Sequence, residues 1–349
     1  VRTPGLRLLE ALATPHGVDR YLELINPMLV IRDLRGEVTA VHRSTPDTVT
    51  LTIRPTRRWR GFTAGQYVRV SVDIDGVRRT RCYSPATSQH RDGRFELIVK
   101  VHHEGMVSRW LREHAKPGLV LHLSQPEGTF TLPLTRPDKI LLISGGSGIT
   151  PVLSMLRTLA DEGYQGQVAF LHYAYRESDV PAINELRARD AVLAYTDADD
   201  GDLTGFFDET HLRKVAPWYA EAQTYLCGPP GLMRSVRETF ADLGVADRLH
   251  TEDFAPAPIT TDASEATGHV TFARSDKTAA NSGATLLDQA EAAGLKPEHG
   301  CRMGICFSCT RVKTAGRVRD VRNGALSTDP DEEIQLCVSV PVGDVAIDL

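Results

Sequence analysis

Between residues 37 and 134, apolar and polar positions alternate in short runs (EVTAVH, TVTLTIRP, QYVRVSV, FELIVKV and LVLHLS) separated by Gly, Pro and Asp. Period-two alternation over such lengths marks half-buried strands, and about six of them at this spacing predict a small antiparallel barrel. From 139 the rhythm changes. The apolar runs KILLIS, QVAFLHYA, AVLAYT and QTYLCG alternate with PVLSMLRTLADEG and LMRSVRETFADLG, whose apolar residues recur at helical spacing. Strands alternating with amphipathic helices predict a parallel α/β sheet. Ahead of both, residues 1–36 read as helical. Thr3-Pro4 and Thr14-Pro15 each set a capping hydroxyl before a first-turn proline, and Asn26-Pro27 closes the second candidate helix. FAPAPITTDASEATG, rich in Pro, Ala, Thr and Ser, has the composition of an interdomain linker. The pattern divides the chain into a helical N-terminal extension (1–36), a barrel (37–134), an α/β domain (135–254), a linker (255–267) and a final domain (268–349).

A chain of 349 residues exceeds what one hydrophobic core supports, in keeping with several domains. At 41% hydrophobic and 24% charged it has the composition of a soluble globular protein. A net charge of -5 gives no overall electrostatic reason to expect nucleic acid or an anionic membrane as a partner. No apolar run reaches the roughly 18 to 20 residues that span a bilayer, and the first residues lack the basic-then-apolar pattern of a signal peptide. The sequence therefore reads as cytoplasmic, where thiols stay reduced. Its six cysteines, Cys82, Cys227, Cys301, Cys306, Cys309 and Cys337, then read as ligands or lone thiols rather than a disulfide framework.

Three of them crowd the loop GCRMGICFSCT, spaced C-x4-C-x2-C, with Cys337 standing 28 positions after Cys309. This is the ligand spacing of a plant-type 2Fe-2S cluster. Thiolates on one tight loop reach two irons only if the backbone wraps closely, and Gly300 and Gly304 permit that approach. Zinc is the alternative, although zinc sites usually use two paired knuckles and only Cys306 and Cys309 form a C-x2-C pair. Buried structural thiols are the third reading.

Upstream lie stretches suited to nucleotides. In RCYSPAT, Arg81 can pair with a phosphate, Tyr83 offers a flat face to a ring system and Ser84 a hydroxyl to a ring nitrogen. In GMVSRWL, Gly105 to Ser108 stand at a helix start, either an anion site or an ordinary serine cap. KILLISGGSGITPVLSML reads as strand, glycine turn and helix. Gly145, Gly146 and Gly148 would let the chain approach a phosphate, with Thr150 and Pro151 capping and starting the helix. YLCGPPGLM puts Cys227 and Gly228 at a strand's C-terminal end, the edge where open α/β sheets bind ligands. Cys227 could equally be a small core residue.

Taken in order, RCYS, GMVS, GGSGITP and CGPPGLM resemble the ferredoxin-NADP reductase superfamily. GCRMGICFSC with Cys337 resembles a plant-type ferredoxin domain fused behind it. The likeness spans about residues 37–349, and RTRCYSPAT and HGCRMGIC are similar to the reductases that serve di-iron fatty-acyl desaturases and oxygenases. The resemblance implies a multidomain fold: an antiparallel flavin barrel, a parallel α/β pyridine-nucleotide domain and an α+β β-grasp ferredoxin domain. It also implies that Arg81, Tyr83 and Ser84 hold the flavin, with Ser84 near its reactive nitrogen, and that Gly105, Met106, Val107 and Ser108 hold the pyrophosphate of FAD, a group FMN lacks. Gly145, Gly146, Gly148, Thr150 and Pro151 would bind NAD(P)H, and Cys227, Gly228 and Pro229 would lie beside the nicotinamide. Glu252 and Phe254 match a segment that approaches the flavin, and Cys301, Cys306, Cys309 and Cys337 would bind the 2Fe-2S cluster.

These parts imply electron flow from NAD(P)H through FAD to a 2Fe-2S cluster, typically near about -400 mV in plant-type domains. From there the electron would pass to an oxygenase or desaturase, with the linker letting the ferredoxin domain alternate between donor and acceptor. Arg176 could meet the 2'-phosphate of NADPH, but Asp197, Asp199, Asp200 and Asp202 would repel it, so the expectation leans to NADH. LRLLEALA and YLELI would dock on the acceptor or on a membrane interface, or else pack on the barrel. The acidic run DPDEE (329–333) would steer a basic partner or be a solvated turn. The competing functions are a reductase for another acceptor, such as a hybrid-cluster protein, and a redox or nicotinamide sensor.

Overall fold

The computed structural model describes residues 18–102, 105–254, 266–300, 302, 304, 307–322 and 324–349. The first expected helix, most of the linker, Cys301 and Cys306 lie outside the described residues. Two compact units emerge. One comprises residues up to Gly76 together with Tyr83–Glu252, and the other Val77–Cys82 with Asp253–Leu349.

The chain enters through α1 (Val18–Ile25), which stops where Asn26-Pro27 was expected to stop it. Asp19 holds the return of the chain by accepting from the amides of Ile31, Arg32 and Asp33 at 2.6, 2.8 and 3.0 Å. Six strands follow: β1 (Arg35–Thr45), β2 (Thr48–Pro55), β3 (Val68–Ile74), β4 (Val77–Tyr83), β5 (Phe95–Lys100) and β6 (Val120–Leu123). They are ordered β4-β3-β6-β1-β2-β5. The path closes into a barrel just past β4, where Pro85 bridges Leu97 and the Ala86 amide donates to the Glu96 carbonyl at 2.8 Å. Alternate residues such as Val68, Val70 and Val72 point inward, and α2 (Met106–His114) adds Val107 and Leu111 to this core. Strand β4 was missing from the sequence pattern. Its VRRTRCY is never fully buried and so does not alternate, but Asp75 and Gly76, both at positive φ, form the two-residue turn that pairs it with β3.

The second half of this unit contains β7 (Lys139–Gly145), α3 (Ile149–Asp161), β8 (Gln167–Ala174), α4 (Ile183–Ala188), β9 (Val192–Tyr195) and β10 (Leu203–Thr204). It ends with α5 (Glu209–Val215), β11 (Gln223–Gly228), α6 (Pro230–Asp242) and β12 (Leu249–Asp253). The sheet order is β10-β9-β8-β7-β11-β12, with β7 pairing in parallel with both β8 and β11. Strand order reverses at β7. In sheets of this kind the C-terminal ends of the strands at such a reversal, here β7 and β11, are the edge where ligands bind.

The other unit carries β13 (His269–Phe272), β14 (Lys277–Ala280), α7 (Leu286–Ala292), β15 (Thr310–Asp320), β16 (Leu326–Ser327), β17 (Glu332–Gln335) and β18 (Ser339–Ile347). The order is β14-β13-β18-β15-β16, with β17 also pairing β15 and β18 lying parallel to β13. Thr285 caps α7 by accepting from the Asp288 amide at 3.2 Å, and the helix buries Leu286, Leu287 and Ala290 against the sheet. Asp329, Pro330 and Asp331 form the exposed turn that was the alternative reading of DPDEE, Glu332 and Glu333 begin β17, and fully buried Lys313 donates to the Asp329 carbonyl. No helix among the described residues is long and apolar enough to cross a membrane.

Candidate active site

Strand β4 and its continuation carry the first cluster of expected residues. Arg81 donates to the Thr80 carbonyl at 2.8 Å, and Tyr83 packs partly buried on the barrel core. Ser84 is 1% exposed, and its hydroxyl has no hydrogen-bond partner among the described residues, like that of buried Thr87. A buried hydroxyl without a partner costs about 1 to 3 kcal/mol. A flavin ring nitrogen or carbonyl would supply what these two lack, so the residues fit the group.

The GMVS segment divides its tasks. Gly105 is the N-cap of α2, and a Cβ there would lie 2.4 Å from the Ser108 hydroxyl. That hydroxyl donates to the Gly105 carbonyl at 3.1 Å, so Ser108 shapes the turn. Val107 faces the barrel core and Met106 faces out. What the segment offers an anion is its amides, since the first intrahelical bond comes only from Arg109.

At this edge the turns after β7 and β11 touch backbone to backbone. A Cβ on Gly148 would sit 2.2 Å from the Cys227 carbonyl oxygen, and one on Gly145 2.8 Å from the Pro229 ring. A Cβ on Gly228 would lie 2.9 Å from the Leu232 side chain and 3.1 Å from the Gly145 amide nitrogen. These three are glycines because the turns pack together. Gly146 alone stands in open space, at φ +51. Thr150 and Pro151 correct the expectation of a cap. The helix begins at Ile149 after Gly148, both residues are buried, and the Thr150 hydroxyl donates back to the Ser147 carbonyl at 3.3 Å. Cys227, 0% exposed, pairs across the sheet with Ser144, whose hydroxyl bonds Nδ1 of the equally buried His172 at 2.8 Å. Burial, with Lys100 adding to it, pushes the His172 imidazole down to about 3, so the ring is neutral.

Lys100, which sequence reasoning passed over, ends β5 with its ammonium 3.4 Å from Asp47 and 5.8 Å from the centre of the Tyr175 ring. Nothing in its local sequence marked it, because the fold alone brings β5 to the nucleotide half. The four acids expected at the nucleotide edge separate. Asp197 follows β9 at the C-terminal edge, its amide bonded to the Tyr175 carbonyl at 3.0 Å. Asp202 stands at the opposite end, before β10, accepting from the Leu193 amide at 2.8 Å. Arg176 follows β8 with its side chain 60% exposed. Glu252 lies in β12 and Phe254 just beyond it, both partly buried.

In the other unit the antiparallel β15–β17 ladder pairs Thr310 with Gln335, and the Leu336 amide reaches the Cys309 carbonyl at 3.2 Å. Cys309 and Cys337, 28 positions apart in sequence, are thereby brought to one end of the ladder, both buried. The Gly304 amide donates to Cys337 Sγ at 3.2 Å, as an amide does to a metal-bound thiolate. Gly304 (φ +69) is held by Arg322, which donates to its carbonyl at 2.6 Å, and Arg302 anchors the loop to Asp288 and Glu291 of α7. Two buried thiols at the end of a loop with left-handed turns fit an iron–sulfur site.

Family models match all three parts: an oxidoreductase FAD-binding domain over residues 36–132, an oxidoreductase NAD-binding domain over 142–238 and a 2Fe-2S iron-sulfur cluster binding domain over 270–342. The chain belongs to the family of flavin- and nicotinamide-dependent oxidoreductases with a C-terminal 2Fe-2S domain, and it is an NAD(P)H-dependent enzyme of that class. It is 39% identical over 362 aligned positions, covering 100% of this chain and 94% of the relative, to an NADPH oxidoreductase of Mycobacterium tuberculosis. It is 31% identical to the glycine betaine monooxygenase reductase subunit of Pseudomonas aeruginosa, over 82% of this chain and 87% of the relative. Its fold matches the solved structure of phthalate dioxygenase reductase with a TM-score of 0.63 at 24% identity, over 91% of this chain and 98% of that one.

Proposed function

We propose that this chain takes electrons from NADPH and delivers them singly, through FAD and a 2Fe-2S cluster, to an oxygenase or desaturase component. The observation that carries the reading is the buried Ser84 hydroxyl, unpartnered among the described residues, on the same compact unit as the C-terminal ends of β7 and β11. When bound, the flavin accepts an electron pair as hydride and releases it one electron at a time, and the cluster handles single electrons. Ser84 would orient the flavin ring, the amides of Met106 to Ser108 would meet the pyrophosphate of FAD, and Gly146 would leave room for that of the nucleotide. Gly228 and the buried Cys227, at the C-terminal end of β11, would set the nicotinamide face. Cys301, Cys306, Cys309 and Cys337 would hold the cluster, with Gly304 donating to one sulfur. Glu252 and Phe254 would close the flavin side.

The preference for NADPH over the NADH expectation has two supports. Asp202 is directed to the Leu193 amide at the far end of its strand, which weakens the argument from four acids, while Arg176 stands exposed at the C-terminal edge. A relative matched over the whole chain is named an NADPH oxidoreductase. The acceptor class is supported by relatives named as monooxygenase reductase subunits.

Anaerobic NADPH should bleach both the flavin bands and the broader iron–sulfur absorption. Bleaching confined to the flavin would sink the electron path. The kcat/KM for NADPH should exceed that for NADH by about tenfold and Arg176→Ala should erase the difference; a wild-type preference for NADH would refute the coenzyme assignment.

A further inference from the structure

Helix α3 begins at the glycine turn after β7 and presents a polar stripe, Ser154, Arg157, Thr158 and the adjoining Glu162, along a largely apolar helix. Spacings of three and four place these side chains on one face. All four bond to the segment that follows Ser84 or to the strand it pairs with. Ser154, fully buried, donates to the Thr87 carbonyl at 2.6 Å. Arg157 donates to the Ala86 carbonyl at 2.8 Å and to Glu96 of β5 at 3.0 Å, while its other nitrogens grip Glu185 of α4 at 2.5 and 3.0 Å. The Gln89 amide donates to Thr158 at 3.1 Å, and His90 pairs with Glu162 at 2.8 Å.

A planar guanidinium shared among two carboxylates and a backbone carbonyl, only 18% exposed, is an expensive device for mere cohesion, since desolvating such a group offsets most of the Coulomb gain. Its geometric effect is specific. Gly146 to Gly148 lead directly into α3, and Ser84 leads directly into the segment that Arg157 grips. The helix is stiff over the roughly 9 Å from Gly148 to Ser154. The two places where the reactants would sit are thus tied to one rod.

We propose that Arg157 is a positioning residue for hydride transfer: it clamps the chain after Ser84 to α3, so that a nicotinamide held at the head of this helix meets the flavin ring at reacting distance. The proposal rests on the placement of the nucleotide and flavin given above. The hydride would leave the nicotinamide with both electrons, leaving it oxidised and the flavin reduced by two electrons. Arg157 would touch neither.

The test is anaerobic stopped-flow mixing of the full-length, cofactor-loaded protein with NADPH, comparing wild type with Arg157→Lys, Arg157→Gln and Ser154→Ala. The limiting rate of flavin reduction should fall by about tenfold or more in the Arg157 variants, with a weaker long-wavelength nicotinamide–flavin charge-transfer band. FAD content and nucleotide Kd should change by less than about twofold. Ser154→Ala should show the same pattern at about threefold. Wild-type rate and charge-transfer band in FAD-replete variants would overturn the proposal, and so would losses that merely follow FAD release in all three. If the wild type itself gave neither flavin reduction nor a charge-transfer band, the site placement would fall instead.

Discussion

His172 has its Nδ1 bonded to Ser144 and its Nε2 without a hydrogen-bond partner among the described residues. The ring is held neutral down to a pH near its depressed value of about 3, whereas in the unfolded chain it takes a proton near its ordinary value of 6.5. Between those values the unfolded state holds the extra proton, so the stabilising contribution is complete above about pH 6.5 and is lost as pH falls. Urea unfolding at pH 7 and pH 5.5 should therefore differ by about 1.2 kcal/mol more in the wild type than in His172→Gln; equal differences would show that the ring is not shielded as described. Nothing in QVAFLHYA marked that role, because one histidine in an apolar run has no partner until β7 is laid beside it. Cys227, in contrast, was assigned from its motif, and the structure adds the polar neighbours that flank it across the sheet.

Among the elements, the turns after β7 and β11 make the sharpest case. Gly148→Ala would drive a methyl into the Cys227 carbonyl, whereas Gly146→Ala meets open space and only the strain of a left-handed residue, about 1 to 2 kcal/mol. Gly148→Ala should therefore abolish NADPH-driven flavin reduction while Gly146→Ala retains a measurable rate; the reverse order would mean the turns are not packed as described. Strands β7, β8, β9 and β11 were legible because buried parallel strands are continuously apolar. Strand β4 was not, because its arginines conceal the pleat, although the Asp75-Gly76 turn before it was a usable signal. The helix start at Ile149 was misread for a simple reason: Thr-Pro has the look of a cap, but the backbone had already turned helical at the preceding residue. Arg157 was passed over because its partners lie 28, 61 and 71 positions away.

At the scale of the molecule, most of the flavin half shares one compact unit with the nucleotide half, and the cysteines expected to bind the cluster fall in the other. Loss of the metal should leave the first unit's chemistry in place. Cys337→Ser, which removes one expected ligand, should keep NADPH–ferricyanide activity within about twofold while losing cytochrome c reduction by tenfold or so. If both activities fell together, the units would not be functionally separable. The modular order was legible from periodicity and motif order, whereas the closure of the barrel through Pro85 was not, because a proline after a strand reads as a stop. The placement of β18 bears on synthesis. It lies between β13 and β15, the latest strand to be made of those in the sheet's interior. The sheet cannot close until Ser339–Ile347 has been made, so the expected cluster cysteines would gain their folded surroundings only after this strand is synthesised, and a nascent chain stalled before it would leave Cys309 without the neighbours that bury it.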